Sequence, residues 1–68
     1  MKNRIISKND IDFNSRINMI TTAGYREKEL MKNADKIYST NNGRCIEFHN
    51  SKTGRYCQYD KISKNWTN

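Results

Sequence analysis

Long hydrophobic runs are absent from this chain, in which at most two apolar residues stand together, as in Ile5-Ile6. A membrane-spanning helix needs about 20 apolar residues, and a secretory leader needs a basic segment followed by about 7–15 of them. We therefore expect neither a membrane span nor a leader, and we expect a cytoplasmic protein.

Cysteine and histidine are also scarce. Two cysteines, Cys45 and Cys57, allow one disulfide, and His49 is the single histidine. Structural zinc usually needs four ligands and a short Cys-x-x-Cys spacing, which this chain lacks. The chain also has no glycine-rich phosphate loop and no serine nucleophile motif. We expect reduced thiols, no metal and no cofactor.

Acidic residues are outnumbered, because 13 Lys and Arg face seven Asp and Glu and give a net charge of +6. Residues 9–43 are balanced, with five basic and five acidic side chains. Residues 1–8 carry three basic side chains and no acid, and residues 44–68 carry five basic against two acidic. This distribution predicts that a polyanion would be attracted to the two ends of the chain.

Proline is missing altogether, so no proline interrupts a helix or a strand. Seven aromatic residues can anchor a small core. We expect one domain over residues 1–68, with residues 1–8 as a flexible basic arm or a short edge strand. A domain of this size buries only about 60% of its unfolded surface. A partner, or a second copy in a homodimer, would help to complete its core.

The most informative pattern is a hairpin over residues 44–60. Two runs rich in β-forming residues flank a turn that ends in Gly54. A four-residue loop with Gly54 in the left-handed region pairs Asn50 with Arg55, and hence Phe48 with Cys57. One face then holds Ile46, Phe48, Cys57 and Tyr59, while the other holds Cys45, Glu47, His49, Tyr56, Gln58 and Asp60.

Helical patterns precede the hairpin. Asp12 is positioned to cap a helix from Phe13 to about Ile20, and Thr21 to Gly24 weaken its continuation. From Tyr25 to Ser39 a second helix is predicted, with Thr22 as its cap and Asn42 or Gly43 as its C-terminal cap. Its apolar stripe would be Leu30, Ala34, Ile37 and Tyr38. One bent helix and two short helices are both allowed.

These elements predict an α+β fold. One or two N-terminal helices would pack on a small antiparallel sheet, made of the 44–60 hairpin and a short third strand anchored by Trp66.

The favoured function is binding of nucleic acid, RNA or single strands, without catalysis. Basic side chains would contact phosphates and an exposed tyrosine would stack on an unpaired base. The predicted nucleic-acid-binding residues are Arg44, Lys52, Arg55, Tyr56, Lys61 and Lys64.

Two alternatives stay open. The chain could be a protein-binding inhibitor or regulator that occupies an acidic or nucleic-acid-binding surface of a partner, and its bias toward Asn, Ile and Lys suggests a mobile element. It could also be a small metal-independent ribonuclease that uses His49, Glu47 and Tyr56, which the hairpin places on one face.

Overall fold

Two helices pack on one face of a five-stranded antiparallel sheet in the computed structural model, which describes residues 3–67. The strands follow the chain order β1-β2-β3-β4-β5 across the sheet. A single 3-10 turn, Lys8–Asp10, follows the first strand. The elements are β1 (Arg4–Ile6), α1 (Phe13–Thr22), α2 (Tyr25–Asn33), β2 (Lys36–Thr40), β3 (Cys45–Asn50), β4 (Arg55–Asp60) and β5 (Asn65–Thr67). The α+β prediction is therefore confirmed, although the sheet is larger than predicted and the helices follow β1.

The hairpin prediction is confirmed in its register. Asn50 pairs with Arg55, Phe48 with Cys57, and Ile46 with Tyr59. Gly54 has φ of +74°, the left-handed conformation that this loop requires. Period-two alternation and turn chemistry favour the same pairing, which is why the register could be read from the residues alone.

The first helix begins as predicted. The Asp12 side chain accepts a hydrogen bond from the Ser15 N–H at 3.0 Å. This bond lowers the pKa of Asp12. Between the helices, Ala23 and Gly24 are extended, so the region contains two short helices and not one bent helix.

The predicted extent of the second helix is wrong, because α2 ends at Asn33 and residues 36–40 form β2. Ile37 and Tyr38 therefore belong to the sheet, where Ile37 pairs with Phe48. The Asp35 N–H bonds the His49 carbonyl at 3.1 Å and holds the start of this strand against β3. Ile37 thus fits a helical stripe in the sequence, but in the structure it is buried by pairing with the neighbouring strand β3.

Two predicted caps are also wrong. Thr22 is the last residue of α1, and Gly24 precedes α2, with its N–H donating to Glu27 Oε1 at 2.8 Å. Asn42 and Gly43 do have positive φ, at 58° and 88°, but they form the β2–β3 turn and not a helix end. Left-handed residues serve tight β-turns as readily as helix ends.

The two ends of the described chain form the two edge strands of the sheet. Arg4–Ile6 forms an edge strand paired with β2, so this part of the expected basic arm is a strand; Met1 and Lys2 lie outside the described residues. At the other edge, Trp66 pairs with Tyr59, and its ring lies 5.4 Å from the Tyr59 ring. The predicted third strand at Trp66 is thus β5.

The core lies between the helices and one face of the sheet. Its buried members are Ile11, Met19, Leu30, Ile37, Ile46, Phe48, Cys57 and Tyr59. Within residues 3–67, no helix is long and apolar enough to cross a membrane. The opposite face of the sheet carries side chains that the core does not use, and they form the candidate site.

Candidate nucleic-acid interface

The face of the sheet opposite the helices is called here the open face. Strand pairing aligns Lys36, His49 and Tyr56 in one row across β2, β3 and β4. The next row aligns Tyr38, Glu47 and Gln58. Because successive side chains of a strand point to opposite faces, residues two positions apart share a face, and these two rows are therefore neighbours.

Three rings form a contiguous cluster on the open face. The His49 and Tyr56 rings are stacked, with centroids 5.2 Å apart and an interplanar angle of 11°. Tyr38 meets His49 edge to face, with centroids 5.0 Å apart. Tyr56 is 47% exposed, so one end of the stack is open to a ligand. A flat ring in this position can receive an unpaired base.

A polar network lies beside the rings. His49 Nε2 is 2.8 Å from Glu47 Oε1, and the Gln58 amide donates to Glu47 Oε2 at 3.2 Å. The Thr67 hydroxyl donates in turn to Gln58 Oε1 at 3.0 Å. Each carboxylate oxygen of Glu47 is thereby held, which orients the acid and the imidazole with respect to each other.

An ion pair lies at one end of the open face. The Arg44 guanidinium contacts the Asp60 carboxylate through Nη2 at 3.0 Å and Nε at 3.1 Å. The hydrogen bond from Arg44 lowers the pKa of Asp60, and the same contact raises the pKa of Arg44. Both groups are therefore charged at neutral pH, and much of the positive potential of Arg44 is offset by its partner.

The structure distributes the six predicted binding residues over several surfaces. Tyr56 lies on the open face and Arg44 at its end. Arg55 lies on the helix side of the sheet, in a depression with Tyr25 and other residues of α2. Lys61 is 3.8 Å from Asp12, and Lys64 shares a shallow depression with α1.

Lys52 lies in the β3–β4 turn, near Asp35. Arg44 and Tyr56 are thus the two of the six that border the open face, whereas Lys61 and Lys64 line one depression beside α1.

The ribonuclease candidates, in contrast, lie together. Glu47, His49 and Tyr56 are joined by one hydrogen-bonded contact and one ring stack. Two further residues of this face, Lys36 and Tyr38, were missed because their segment was assigned to a helix. The run of β-forming residues from Ile37 to Thr40 was the signal that could have found them.

The acidic side chains are engaged by the fold itself. All seven accept a hydrogen bond from another residue, and five of them accept it from a backbone N–H at the start of a helix, the 3-10 turn or a hairpin loop. Among the Lys and Arg residues of 3–67, Arg44 and Lys61 are the two in ion pairs with carboxylates. The remaining described cations keep their charge available to a ligand.

Both thiols are buried. Cys57 is 0% exposed on the helix side of the sheet, and this burial raises its pKa to about 12. Cys45 belongs to the open face but is covered there, with the Asn41 amide 4.0 Å from its sulfur. Within residues 3–67, no group of three or more His, Cys, Asp or Glu side chains could hold a metal ion.

Comparison of the chain with protein-family models, with curated proteins and with solved structures finds no match. Its own geometry is therefore the basis for assigning a function.

Proposed function

We propose that this protein binds single-stranded nucleic acid, RNA in the first place, on the open face of its sheet. The observation that carries the proposal is the ring cluster of Tyr38, His49 and Tyr56, whose outermost ring is 47% exposed. Single strands are recognised largely by stacking of their bases on such rings.

Electrostatics support the same ligand. The net charge of +6 attracts phosphates at long range, and Lys36 stands in the same row as His49 and Tyr56. The nearest acid, Glu47, is held by His49 and Gln58, so its negative charge is partly offset. Each Glu47 carboxylate oxygen can accept a second hydrogen bond, and a ribose 2′-hydroxyl, which DNA lacks, can donate it.

Binding of a fluorescein-labelled single-stranded RNA of about 12 nucleotides, followed by anisotropy, tests this proposal. Loss of one stacking ring in Tyr56→Ala should weaken binding by about 1–3 kcal/mol, or roughly 5- to 150-fold in Kd. Tyr25→Ala is the matched control, because Tyr25 is 81% exposed on α2 and away from the open face. Equal effects of the two substitutions would contradict the proposal.

A second candidate function is metal-independent RNA cleavage, favoured by the 2.8 Å contact between His49 Nε2 and Glu47. Glu47 would orient the imidazole so that Nδ1 takes the proton of a 2′-hydroxyl. The 2′-oxygen would attack the adjacent phosphorus to form a 2′,3′-cyclic phosphate. The departing 5′-oxygen would receive a proton from the Tyr56 hydroxyl.

The same RNA, run on a denaturing gel after incubation, separates the two functions. Under the binding proposal the RNA stays intact. Under the ribonuclease proposal it is cut by the wild type, and cutting is lost in His49→Ala even at protein concentrations that saturate the RNA, so that loss of the His49 ring from the stack does not account for it. Fragments that survive in His49→Ala would point to a contaminating nuclease and not to this site.

A further inference from the structure

A second candidate binding site lies on the helix side of the protein, away from the open face. A cavity of about 390 Å³ lies between the 3-10 turn, α1 and α2, with Phe48 of β3 at its base. Its apolar lining is Ile11, Met19, Ile20, Met31 and Phe48. A space of this size, lined by side chains of this kind, can receive large apolar side chains from outside.

The polar side chains that line this cavity are all cationic. They are Lys8, Arg16, Lys28 and Lys32, and among residues 3–67 no carboxylate lines it. Arg16 is held in place by a hydrogen bond from Nη2 to the Lys8 carbonyl at 2.7 Å. Lys28 and Lys32 are four residues apart on α2, a spacing at which like charges repel each other. An anionic ligand would relieve this repulsion.

The apolar surface continues outside the cavity along α1. Phe13, Ile17 and Ile20 are spaced i, i+4 and i+7, which places them on one face of the helix. They are 74%, 43% and 55% exposed, and Ile20 also lines the cavity. Ile20 joins the stripe to the cavity, and the two together are called here the helix-side groove. Ile17 also borders the depression that Lys61 and Lys64 line.

We propose that the helix-side groove binds an acidic amphipathic helix of a partner protein. The apolar residues of that helix would fill the cavity and cover Phe13, Ile17 and Ile20, and its carboxylates would meet the four cations. From Phe13 to Ile20 the stripe spans about 10 Å, the length of roughly two helical turns. The four cations favour a partner segment of negative charge, and the apolar lining favours a segment with an apolar face.

The concave apolar lining distinguishes this ligand from two others. Nucleic acid carries the right charge, but Phe48, the aromatic residue of the cavity, is fully buried and offers no face for stacking. Phe13 on the stripe is exposed, but the rest of the apolar surface of the groove consists of Ile and Met side chains, on which bases do not stack. A bilayer surface is broad and cannot fill a concave cavity between two helices. A protein helix presents single side chains that can enter it, as in other helix-in-groove complexes.

Selection from a phage-displayed library of random peptides of about 15 residues, long enough for four helical turns, tests the proposal. Enriched peptides should be acidic, with apolar residues at i, i+3 or i+4, and i+7. One of them, synthesised with a fluorescein label, is then titrated with the protein. Enrichment of basic or unpatterned peptides would overturn the proposal.

Charge-neutral substitutions locate the site. Ile20→Ser should weaken binding of the labelled peptide by about tenfold or more, which corresponds to at least about 1.4 kcal/mol. Ile62→Ser, at a 70% exposed position in the β4–β5 turn, should leave binding unchanged. Circular dichroism confirms that both variants fold. Equal peptide affinity in Ile20→Ser and the wild type would refute the groove as the site.

Paired charge variants test the electrostatic part. Lys28→Gln/Lys32→Gln and Arg4→Gln/Lys52→Gln lower the net charge equally, but the first pair alone borders the groove. Only Lys28→Gln/Lys32→Gln should strongly weaken peptide binding. Sedimentation of the protein alone covers the remaining occupant: self-association abolished by Ile20→Ser would assign the groove to a second copy and overturn the proposal. RNA binding should be unchanged in Ile20→Ser, which keeps this test separate from that of the open face.

Discussion

The buried thiol of Cys57 should make this protein lose stability at alkaline pH. Its pKa rises from an ordinary value of 9.0 to about 12 because burial in the core disfavours the thiolate. In the unfolded chain the thiol loses its proton at about pH 9, whereas in the folded protein it keeps the proton. The contribution of Cys57 is therefore fully present below pH 9 and is lost as pH rises from 9 to 12.

The size of this effect follows from the shift. Each pKa unit corresponds to about 1.4 kcal/mol, so a shift of roughly three units is worth at most about 4 kcal/mol. Between about pH 8 and about pH 11, roughly 2–3 kcal/mol should be lost. A chain of 68 residues typically has a total stability of about 3–10 kcal/mol, so the loss would be a large fraction of it.

Urea unfolding of the wild type and Cys57→Ala, followed by circular dichroism at both pH values, measures this term. Cys57→Ala should be less stable at neutral pH because it leaves a small cavity, but it should lose less stability on going to high pH. Deprotonation of surface lysines affects both proteins and cancels in the comparison. Cys45→Ala is the matched control and should retain the alkaline loss. The reasoning would be refuted if Cys57→Ala lost as much stability as the wild type between the two pH values.

Three further predictions concern stability. Asp12→Ala removes the cap of α1 and should cost about 1 kcal/mol of stability in thermal unfolding. Because the pKa of Asp12 is lowered in the folded protein, the charged carboxylate stabilises the fold above its unfolded pKa and this stabilisation is lost in acid. Asp12→Asn should therefore lose less stability than the wild type as pH falls below about 4. Tyr59→Phe should be close to neutral in urea unfolding, because the buried hydroxyl lies beside Asn18 without a hydrogen bond of good geometry, whereas Tyr59→Ala should cost about 3–5 kcal/mol or prevent folding. Gly54→Ala should cost about 1–2 kcal/mol through its left-handed backbone alone, since a Cβ there meets no atom within 4 Å, and Gly54→Asn should cost less. A neutral Gly54→Ala, a stabilising Asp12→Ala or a Tyr59→Phe as damaging as Tyr59→Ala would each contradict its prediction.

Local patterns were sufficient for the hairpin and for the start of α1. In the hairpin, alternating side chains and a glycine-ended turn lie within seventeen residues and favour the same register. At Asp12 the capping side chain and the N–H that it binds are three residues apart. Interactions of such short range can be read from neighbouring residues, because no distant segment has to be known.

The segment after α2 could not be assigned in the same way. Leu30, Ala34 and Ile37 fit a helical stripe, and residues 37–40 also fit a strand. The choice depends on β1 and β3, which flank β2 and pair with it along its length. β3 follows β2 after a short turn, but β1 comes from the other end of the chain, so propensity within the segment does not decide between the two structures.

The candidate sites show the same division. The sequence determined the positive charge, the hairpin faces and the grouping of Glu47, His49 and Tyr56, because charge is additive and hairpin pairing is local. Only the tertiary structure decided that Tyr38 joins that cluster and that Arg44 is paired with Asp60. The helix-side groove likewise exists only where the 3-10 turn, α1, α2 and β3 meet, and packing between separate elements is the one property that no single stretch of residues contains.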